Sequence, residues 1–136
     1  MPETVNVAKV LMQDENENFL VVQEAESQQW ELPGGKIEEY EDRFETARRE
    51  AEEEVNLEIS SLTGVVRVEV EDEKCVNCWI IYAGCFSGKI ELEDKLSDFR
   101  WVSAEEFYEL DWKTDAGYNI PAMTRLKEYF DQKSVE

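Results

Sequence analysis

Apolar and polar residues alternate along several short segments of the chain, and this pattern predicts strands over residues 5–12, 19–22 and 66–70. Residues 14–18 are polar and typical of a turn, which predicts that the first two strands form a hairpin. Residues 78–86 are apolar on both faces, as expected for a central buried strand. Shorter extended pieces are expected at residues 30–32, 89–92 and 99–102, with a turn at residues 33–35.

A different period marks the first helix. Apolar residues recur at positions 44, 47, 51 and 55, which places them on one helical face. Asp42 and Glu45 have the spacing of a capping box, so the helix is predicted to begin there. Asn56 stands where a left-handed C-terminal residue is needed, and asparagine is second only to glycine in that role.

Two more helices are predicted towards the end of the chain. Ser103 and Glu106 form a second capping box before a helix over residues 104–110. Pro121 is suited to open a last helix, and residues 133–136 are expected to fray. Interleaved strands and helices predict a mixed sheet flanked by helices, an α/β/α sandwich or an α+β domain. The length of 136 residues predicts a single domain over residues 1–136.

Charge is the outlier of the composition, because 33 acidic residues face 14 basic ones and the net charge is −19. This balance argues against binding to a nucleic acid duplex or to an anionic membrane surface. The chain has neither an apolar run of membrane-spanning length nor a signal-peptide pattern, so a cytoplasmic protein is expected. A salt-adapted source is one hypothesis for the acidity; stability that does not rise between low and molar KCl would contradict it.

The residues available for chemistry are restricted. The chain contains no histidine, which excludes Ser–His and Cys–His catalysis and histidine metal sites. Cys75 and Cys78 form a CxxC pair, but only Cys85 remains as a further zinc ligand. Residues i and i+3 of a strand point to opposite faces, which argues against a disulfide between Cys75 and Cys78, and an intracellular protein keeps its thiols reduced. We therefore expect both to be small, buried or half-buried residues.

The first helix carries the candidate chemistry. Glu50, Glu53 and Glu54 are spaced i, i+3 and i+4, so their carboxylates share one helical face and repel one another. A divalent cation among them would offset that repulsion, and a set of oxygen ligands favours Mg²⁺, with Mn²⁺ also suitable. Gly34 and Gly35 allow the backbone to approach a ligand closely. This pattern predicts metal-assisted attack of water on a phosphoanhydride, whereas the alternative is a solvated acidic face.

The same segment resembles the box of the Nudix hydrolase family, G-x5-E-x7-R-E-U-x-E-E-x-G-U, in which U is aliphatic. Trp30 to Gly34 also resemble the family's usual lead-in. Asn56 replaces the final glycine, a mild change given its αL preference. The matching positions are Gly35, Glu41, Arg49, Glu50, Ala51, Glu53, Glu54 and Leu57.

This resemblance implies hydrolysis of a nucleoside diphosphate linked to another moiety, with Mg²⁺ or Mn²⁺ as cofactor. Substrates like those of MutT, namely nucleoside triphosphates and their oxidised forms, or of ADP-ribose pyrophosphatases are the leading candidates. The metal ligands would be Glu50, Glu53 and Glu54, with the carbonyl of Gly34 contributing. The general base stays open between Glu53, Glu54 and an acid of a later loop.

Further roles are implied for residues around the box. Glu41 and Arg49 would form an ion pair that holds the loop against the helix. Glu93 or Asp94 is a candidate for an additional metal ligand. Lys36 follows the glycines and either binds a phosphate or is a solvated surface lysine.

Trp112 and Tyr118 are candidates for binding the nucleobase, since they fall in a segment that packing explains least. The expected partner is a small-molecule nucleotide, and the protein is expected to be a monomer or a homodimer. Two other interpretations remain open: a Nudix-fold domain that senses a nucleotide without cleaving it, and an acidic domain whose box arose by chance.

Overall fold

A computed structural model describes residues 4–71, 75–112 and 128 of the chain. The predicted last helix from Pro121 and the predicted fraying of residues 133–136 lie outside the described residues. The strands are β1 (Thr4–Met12), β2 (Phe19–Glu24), β3 (Trp30–Glu31), β4 (Gly34–Lys36), β5 (Glu58–Glu71), β6 (Cys75–Ser87) and β7 (Leu96–Val102), and the helices are α1 (Arg43–Val55) and α2 (Ala104–Glu109).

The strands form two sheets. One has the order β4-β1-β6-β5 and is mixed, because β1 and β6 run parallel while the other pairs are antiparallel. The other has the order β3-β2-β7 and is antiparallel. β6 lies between β1 and β5, which confirms the predicted central strand.

The predicted hairpin of the first two strands is wrong. β1 and β2 belong to different sheets, and an isolated bridge between Gln13 and Phe19 joins them. The Asp14 carboxylate accepts hydrogen bonds from the backbone N–H groups of Asn16 and Asn18, both at 2.9 Å, and so organises the turn. β1 is buried over most of its length and pairs along its whole length with β6, a longer apolar partner than the six-residue β2.

Two other local predictions are corrected. Residues 34–36 form the edge strand β4, antiparallel to β1, instead of continuing a turn. Gly34 is required there, since its φ is 151° and a Cβ would collide with the carbonyl oxygen of Ala8. Residues 89–92 form a loop rather than a strand.

The two helices lie on opposite sides of the strands. Ala47, Ala51 and Val55 of α1 are fully buried in one apolar cluster. Phe107 of α2 is fully buried in a second cluster. Alternate residues of β1, β2 and β6 belong to the two clusters, so the strands form a middle layer between the helices. The predicted α/β/α arrangement is therefore confirmed, with its strands divided between two sheets.

Both predicted capping boxes are present. Asp42 accepts a hydrogen bond from the backbone of Glu45 at 2.8 Å, and the Glu45 side chain accepts one from the backbone of Asp42 at 3.1 Å. Ser103 and Glu106 make the same reciprocal contacts before α2. Asn56 ends α1 with a left-handed φ of 61°, as its position in the sequence predicts.

The expectation of an at least half-buried cysteine holds for Cys78, whereas the side chain of Cys75 lies outside the described ones. Cys78 is a free, buried cysteine in the continuous strand β6, and Cys85 is free and exposed. Burial raises the pKa of the Cys78 thiol to about 11, which makes it a poor nucleophile. Within the described ranges, no helix combines the length and apolar character needed to cross a bilayer.

Candidate metal and active site

Two of the three predicted acidic ligands lie on the buried face of α1. Glu50 and Glu54 are buried, although they are charged residues on the same face as Ala47 and Ala51. The Glu53 side chain is 55% exposed and lies at the edge of that face. Buried carboxylates are rare unless they are paired or bind a metal ion. The apolar stripe of α1 is thus interrupted by acids at the place where it meets β4.

The Glu50 carboxylate occupies the space above Gly35. A Cβ at Gly35 would lie 2.5 Å from Oε1 and 2.7 Å from Cδ of Glu50. Contacts this short between heavy atoms do not occur without movement, so glycine is required here for the carboxylate to stay in place. The glycine therefore serves the site through its missing side chain.

The Glu54 carboxylate is the most buried acid of the site, with none of its surface exposed. Its Oε2 accepts a hydrogen bond from the backbone N–H of Gly34 at 3.2 Å, whereas its Oε1 has no hydrogen-bond partner among the described residues. Burial raises the pKa of Glu54 to about 7, against the opposing effect of the nearby ammonium groups of Lys9 and Lys95. One carboxylate oxygen is therefore available for a ligand.

Lys9 is a buried cation in β1, next to β4, the strand that contains Gly34 and Gly35 and is called the glycine strand below. Its Nζ donates to the carbonyl oxygen of Leu32 at 3.2 Å and lies 3.7 Å from Oε1 of Glu31. Both side chains are nearly inaccessible to water, so the pair compensates two buried charges. Lys9 also pairs with Gly34 across the β1–β4 ladder, which connects this ion pair to the backbone that contacts Glu54.

The predicted ion pair between Glu41 and Arg49 is present. Arg49 donates to Glu41 through Nε at 3.1 Å and through Nη2 at 2.7 Å, a bidentate contact. The Glu41 carboxylate also accepts from the Thr46 hydroxyl and from the Glu38 backbone. These contacts, with Arg49 the strongest, lower the pKa of Glu41 to about 2.

The same guanidinium reaches the acidic cluster. Nη1 of Arg49 donates to Glu50 Oε1 at 3.0 Å and to Glu53 Oε2 at 3.1 Å. Nη2 also donates to the carbonyl oxygen of Lys36 in β4 at 3.2 Å. Arg49 therefore joins the loop, the glycine strand and two of the three acids, and it offsets their mutual repulsion.

The loop after β6 brings a fourth acid to the cluster. The backbone N–H of Glu93 donates to the carbonyl oxygen of Glu54 at 2.9 Å, and that of Glu91 donates to the carbonyl oxygen of Val55 at 3.1 Å. These bonds satisfy carbonyls of the last turn of α1, which have no partner inside the helix. Lys95 lies between the two acids, with Nζ 3.5 Å from Glu54 Oε1 and 3.7 Å from Glu93 Oε2.

The donor set suits a hard divalent cation, because it consists of carboxylate and backbone oxygens and includes the unpartnered Oε1 of Glu54. Among the described residues, no three acids or cysteines already stand in an arrangement that could hold a metal ion. Arg49 and Lys95 lie between the carboxylates instead. Metal binding at this cluster would therefore require these side chains to rearrange.

The predicted substrate-binding residues lie in different places. Lys36 is exposed in β4, adjacent in sequence to Gly35. Trp112 is 8% exposed, and its indole N–H donates to the Phe107 carbonyl oxygen at 2.8 Å. That packing accounts for Trp112 as a core residue, and base stacking by Trp112 stays a prediction. Tyr118 lies outside the described residues.

Two residues of the cluster were missed by the sequence analysis. Lys9 interrupts an apolar strand, and a charge at such a position signals a buried partner. Lys95 follows Glu93 and Asp94, so it could be dismissed as a solvated charge. Only the bonds between the loop at residues 91–93 and the end of α1 bring it to Glu54.

Comparison with known proteins adds an independent finding. The model of the NUDIX domain family matches residues 2–123. The fold is similar to the solution structure of the ORF135 protein from E. coli, with a TM-score of 0.82, 19% identity and coverage of 99% of this chain and 94% of the other. It is also similar to the crystal structure of a MutT protein from Methanosarcina mazei Go1, with a TM-score of 0.78, 20% identity and coverage of 97% and 96%.

A third similar structure contains a ligand. It is the NUDIX domain of Shewanella oneidensis NrtR complexed with ADP ribose, with a TM-score of 0.74, 15% identity and coverage of 94% of this chain and 89% of the other. At these identities the likeness to solved structures establishes the fold.

Proposed function

The chain belongs to the NUDIX family, and on that premise we propose that it hydrolyses a diphosphate bond in a nucleoside diphosphate linked to another moiety. ADP-ribose-like compounds and nucleoside triphosphates are the proposed substrate classes. The observation that carries the proposal is the buried Glu54 carboxylate. It has an oxygen without a hydrogen bond and shares a helix with Glu50 and Glu53.

The proposed cofactor is Mg²⁺ or Mn²⁺, and the residues that would hold it are Glu50, Glu53 and Glu54, with Glu93 and the Gly34 carbonyl contributing. Such an ion lowers the pKa of bound water and neutralises charge on the phosphoryl oxygens. Gly35 leaves room for the Glu50 carboxylate, and the Gly34 N–H orients that of Glu54. Arg49 acts as a positioning residue, because its bidentate bond to Glu41 holds α1 against the preceding loop.

In the proposed reaction, a water oxygen attacks one phosphorus of the diphosphate. A new P–O bond forms, the bridging P–O bond breaks, and the leaving phosphate takes its electron pair. The water proton passes to a carboxylate, and we assign this role to Glu53 or Glu54, the two acids at the end of α1. The products are a nucleoside monophosphate and a phosphorylated remainder, or pyrophosphate when the substrate is a triphosphate.

The test is turnover of a nucleotide panel with and without Mg²⁺, in the wild type and in Glu53→Gln and Glu54→Gln. Turnover that needs the metal and falls by about 100-fold or more in the variants supports the proposal. Glu52→Gln is the matched control, since it removes the same charge from an exposed position of α1. The acid whose replacement by glutamine removes the acidic limb of the pH–rate profile is assigned as the proton acceptor.

The second candidate function is a domain that binds a nucleotide without cleaving it. The observation that favours it is the likeness to the NUDIX domain of Shewanella oneidensis NrtR, whose structure is a complex with ADP ribose. Binding of ADP-ribose or a nucleoside triphosphate by the wild type, without turnover at millimolar Mg²⁺ or Mn²⁺, would favour the sensor over the enzyme.

A further inference from the structure

Lys95 is the exposed cation of the acidic cluster. It lies in the turn between Glu93 and β7, and its side chain is 55% exposed. Its Nζ approaches Glu54 Oε1 to 3.5 Å and Glu93 Oε2 to 3.7 Å. The contact thus joins a half-exposed ammonium group to a carboxylate that has no exposed surface.

The Glu54 oxygen that faces Lys95 is the one without a hydrogen bond. A buried carboxylate with one oxygen that accepts no hydrogen bond is costly in its ionised form, so a positive charge nearby stabilises it. Both distances from Lys95 exceed those of ordinary hydrogen bonds, which means that charge attraction rather than a directed bond holds the ammonium group. Because the Lys95 ammonium group is half exposed to water, unlike that of the buried Lys9, this contact can exchange with another cation.

Arg49 provides the contrast. It lies on α1 and makes five hydrogen bonds of 2.7–3.2 Å to Glu41, Glu50, Glu53 and the Lys36 carbonyl. Its planar group is therefore fixed by several partners at once. Lys95 lies on a turn, on a flexible four-carbon stem, with two long contacts. Of these two cations, Lys95 is the one that can leave without dismantling the helix and the glycine strand.

We propose that Lys95 is the exchangeable counter-ion of the acidic cluster: it neutralises Glu54 and Glu93 in the metal-free protein, gives way to a divalent cation, and then binds a phosphate oxygen of the substrate. This inference rests on the proposed function. The substrate is a polyanion that enters the field of a chain with a net charge of −19. An ammonium group released beside the carboxylates is well placed to attract it.

The test compares Lys95→Gln with the wild type and with Lys89→Gln, which removes the same charge from another exposed lysine. Binding of Mn²⁺ alone is measured by electron paramagnetic resonance or calorimetry. Loss of the competing ammonium is expected to tighten Mn²⁺ binding by about 3- to 10-fold, while Lys89→Gln stays within about two-fold of the wild type. Lys95→Arg keeps the charge and is expected to stay close to the wild type.

The second measurement is binding of a methylene-bridged analogue of ADP at saturating Mn²⁺. Lys95→Gln is expected to weaken it by about 3- to 10-fold, because a phosphate contact is lost. Tighter Mn²⁺ binding together with weaker analogue binding in Lys95→Gln supports the inference. An unchanged Mn²⁺ affinity overturns it, and so does an unchanged affinity for the analogue. If the wild type binds Mn²⁺ and hydrolyses nucleotides, such a result overturns this inference alone. A wild type that binds no Mn²⁺ overturns both this inference and the proposed function.

Discussion

The carboxylate of Glu50 lies where the side chain of residue 35 would be, since a Cβ on Gly35 would come within 2.5 Å of Glu50 Oε1. The two residues belong to different elements, the edge strand β4 and the helix α1. Their contact shows how the glycine segment and the acidic helix form one site.

Gly35→Ala is expected to displace the Glu50 carboxylate and weaken Mn²⁺ binding by about 10-fold or more, a cost of about 1.4 kcal/mol or more. Calorimetric titration measures this effect. The matched control is Gly84→Ala, where the added Cβ would meet the movable Tyr82 side chain at 3.1 Å. Equal Mn²⁺ affinity in the two alanine variants would show that Gly35 does not position an ion ligand.

Glu41→Gln is expected to destabilise the fold by about 1–2 kcal/mol at pH 7, because it breaks the bidentate contact with a partly exposed Arg49. The pKa of Glu41 is lowered from 4.5 to about 2, so its contribution is present above pH 4.5 and is lost as the pH falls towards 2. Urea unfolding measures the difference between wild type and variant, which is expected to shrink over that window. The exposed Glu39 provides the control variant Glu39→Gln; a similar loss in both variants would contradict the assigned role.

The stability of the metal-free protein is expected to fall as the pH rises from about 4.5 through 7. Burial raises the pKa of Glu54 to about 7, so the folded state holds a proton that the unfolded state releases. The effect is on the order of 3 kcal/mol, and thermal unfolding in EDTA measures it. Glu54→Gln is expected to remove much of this slope, whereas Glu52→Gln keeps it. Identical slopes in wild type and Glu54→Gln would show that Glu54 is not the group responsible.

Lys9→Met is expected to destabilise the protein by about 3 kcal/mol, because it removes the ammonium group that forms an ion pair with the buried Glu31 carboxylate. The double variant Lys9→Met with Glu31→Leu removes both charges and is expected to recover part of that loss. Chemical denaturation of the single and double variants measures the coupling. Additive effects of the two substitutions would mean that this ion pair contributes nothing to the fold.

Local features of the fold could be predicted from the sequence because they depend on neighbours along the chain. The capping boxes at Asp42 and Ser103 and the left-handed Asn56 involve bonds within a few residues, and all three are present. The hairpin was predicted wrongly because the turn at Asp14 is a local feature, and it does not determine the sheet to which each flanking strand belongs. The choice of β6 as the partner of β1 is a contact between residues about 70 positions apart.

The candidate site divides in the same way. By itself the sequence determined that Glu50, Glu53 and Glu54 share a helix and that two glycines precede it, since helical periodicity and spacing suffice for this. The pairing of Arg49 with Glu41 was implied by the resemblance to the Nudix family. Only the tertiary structure decided which acid is buried, that Gly35 makes room for Glu50, and that Lys9 and Lys95 approach Glu54 from distant segments. Burial and charge pairing depend on which strands and loops pack together, and that packing arises from long-range contacts that no local pattern encodes.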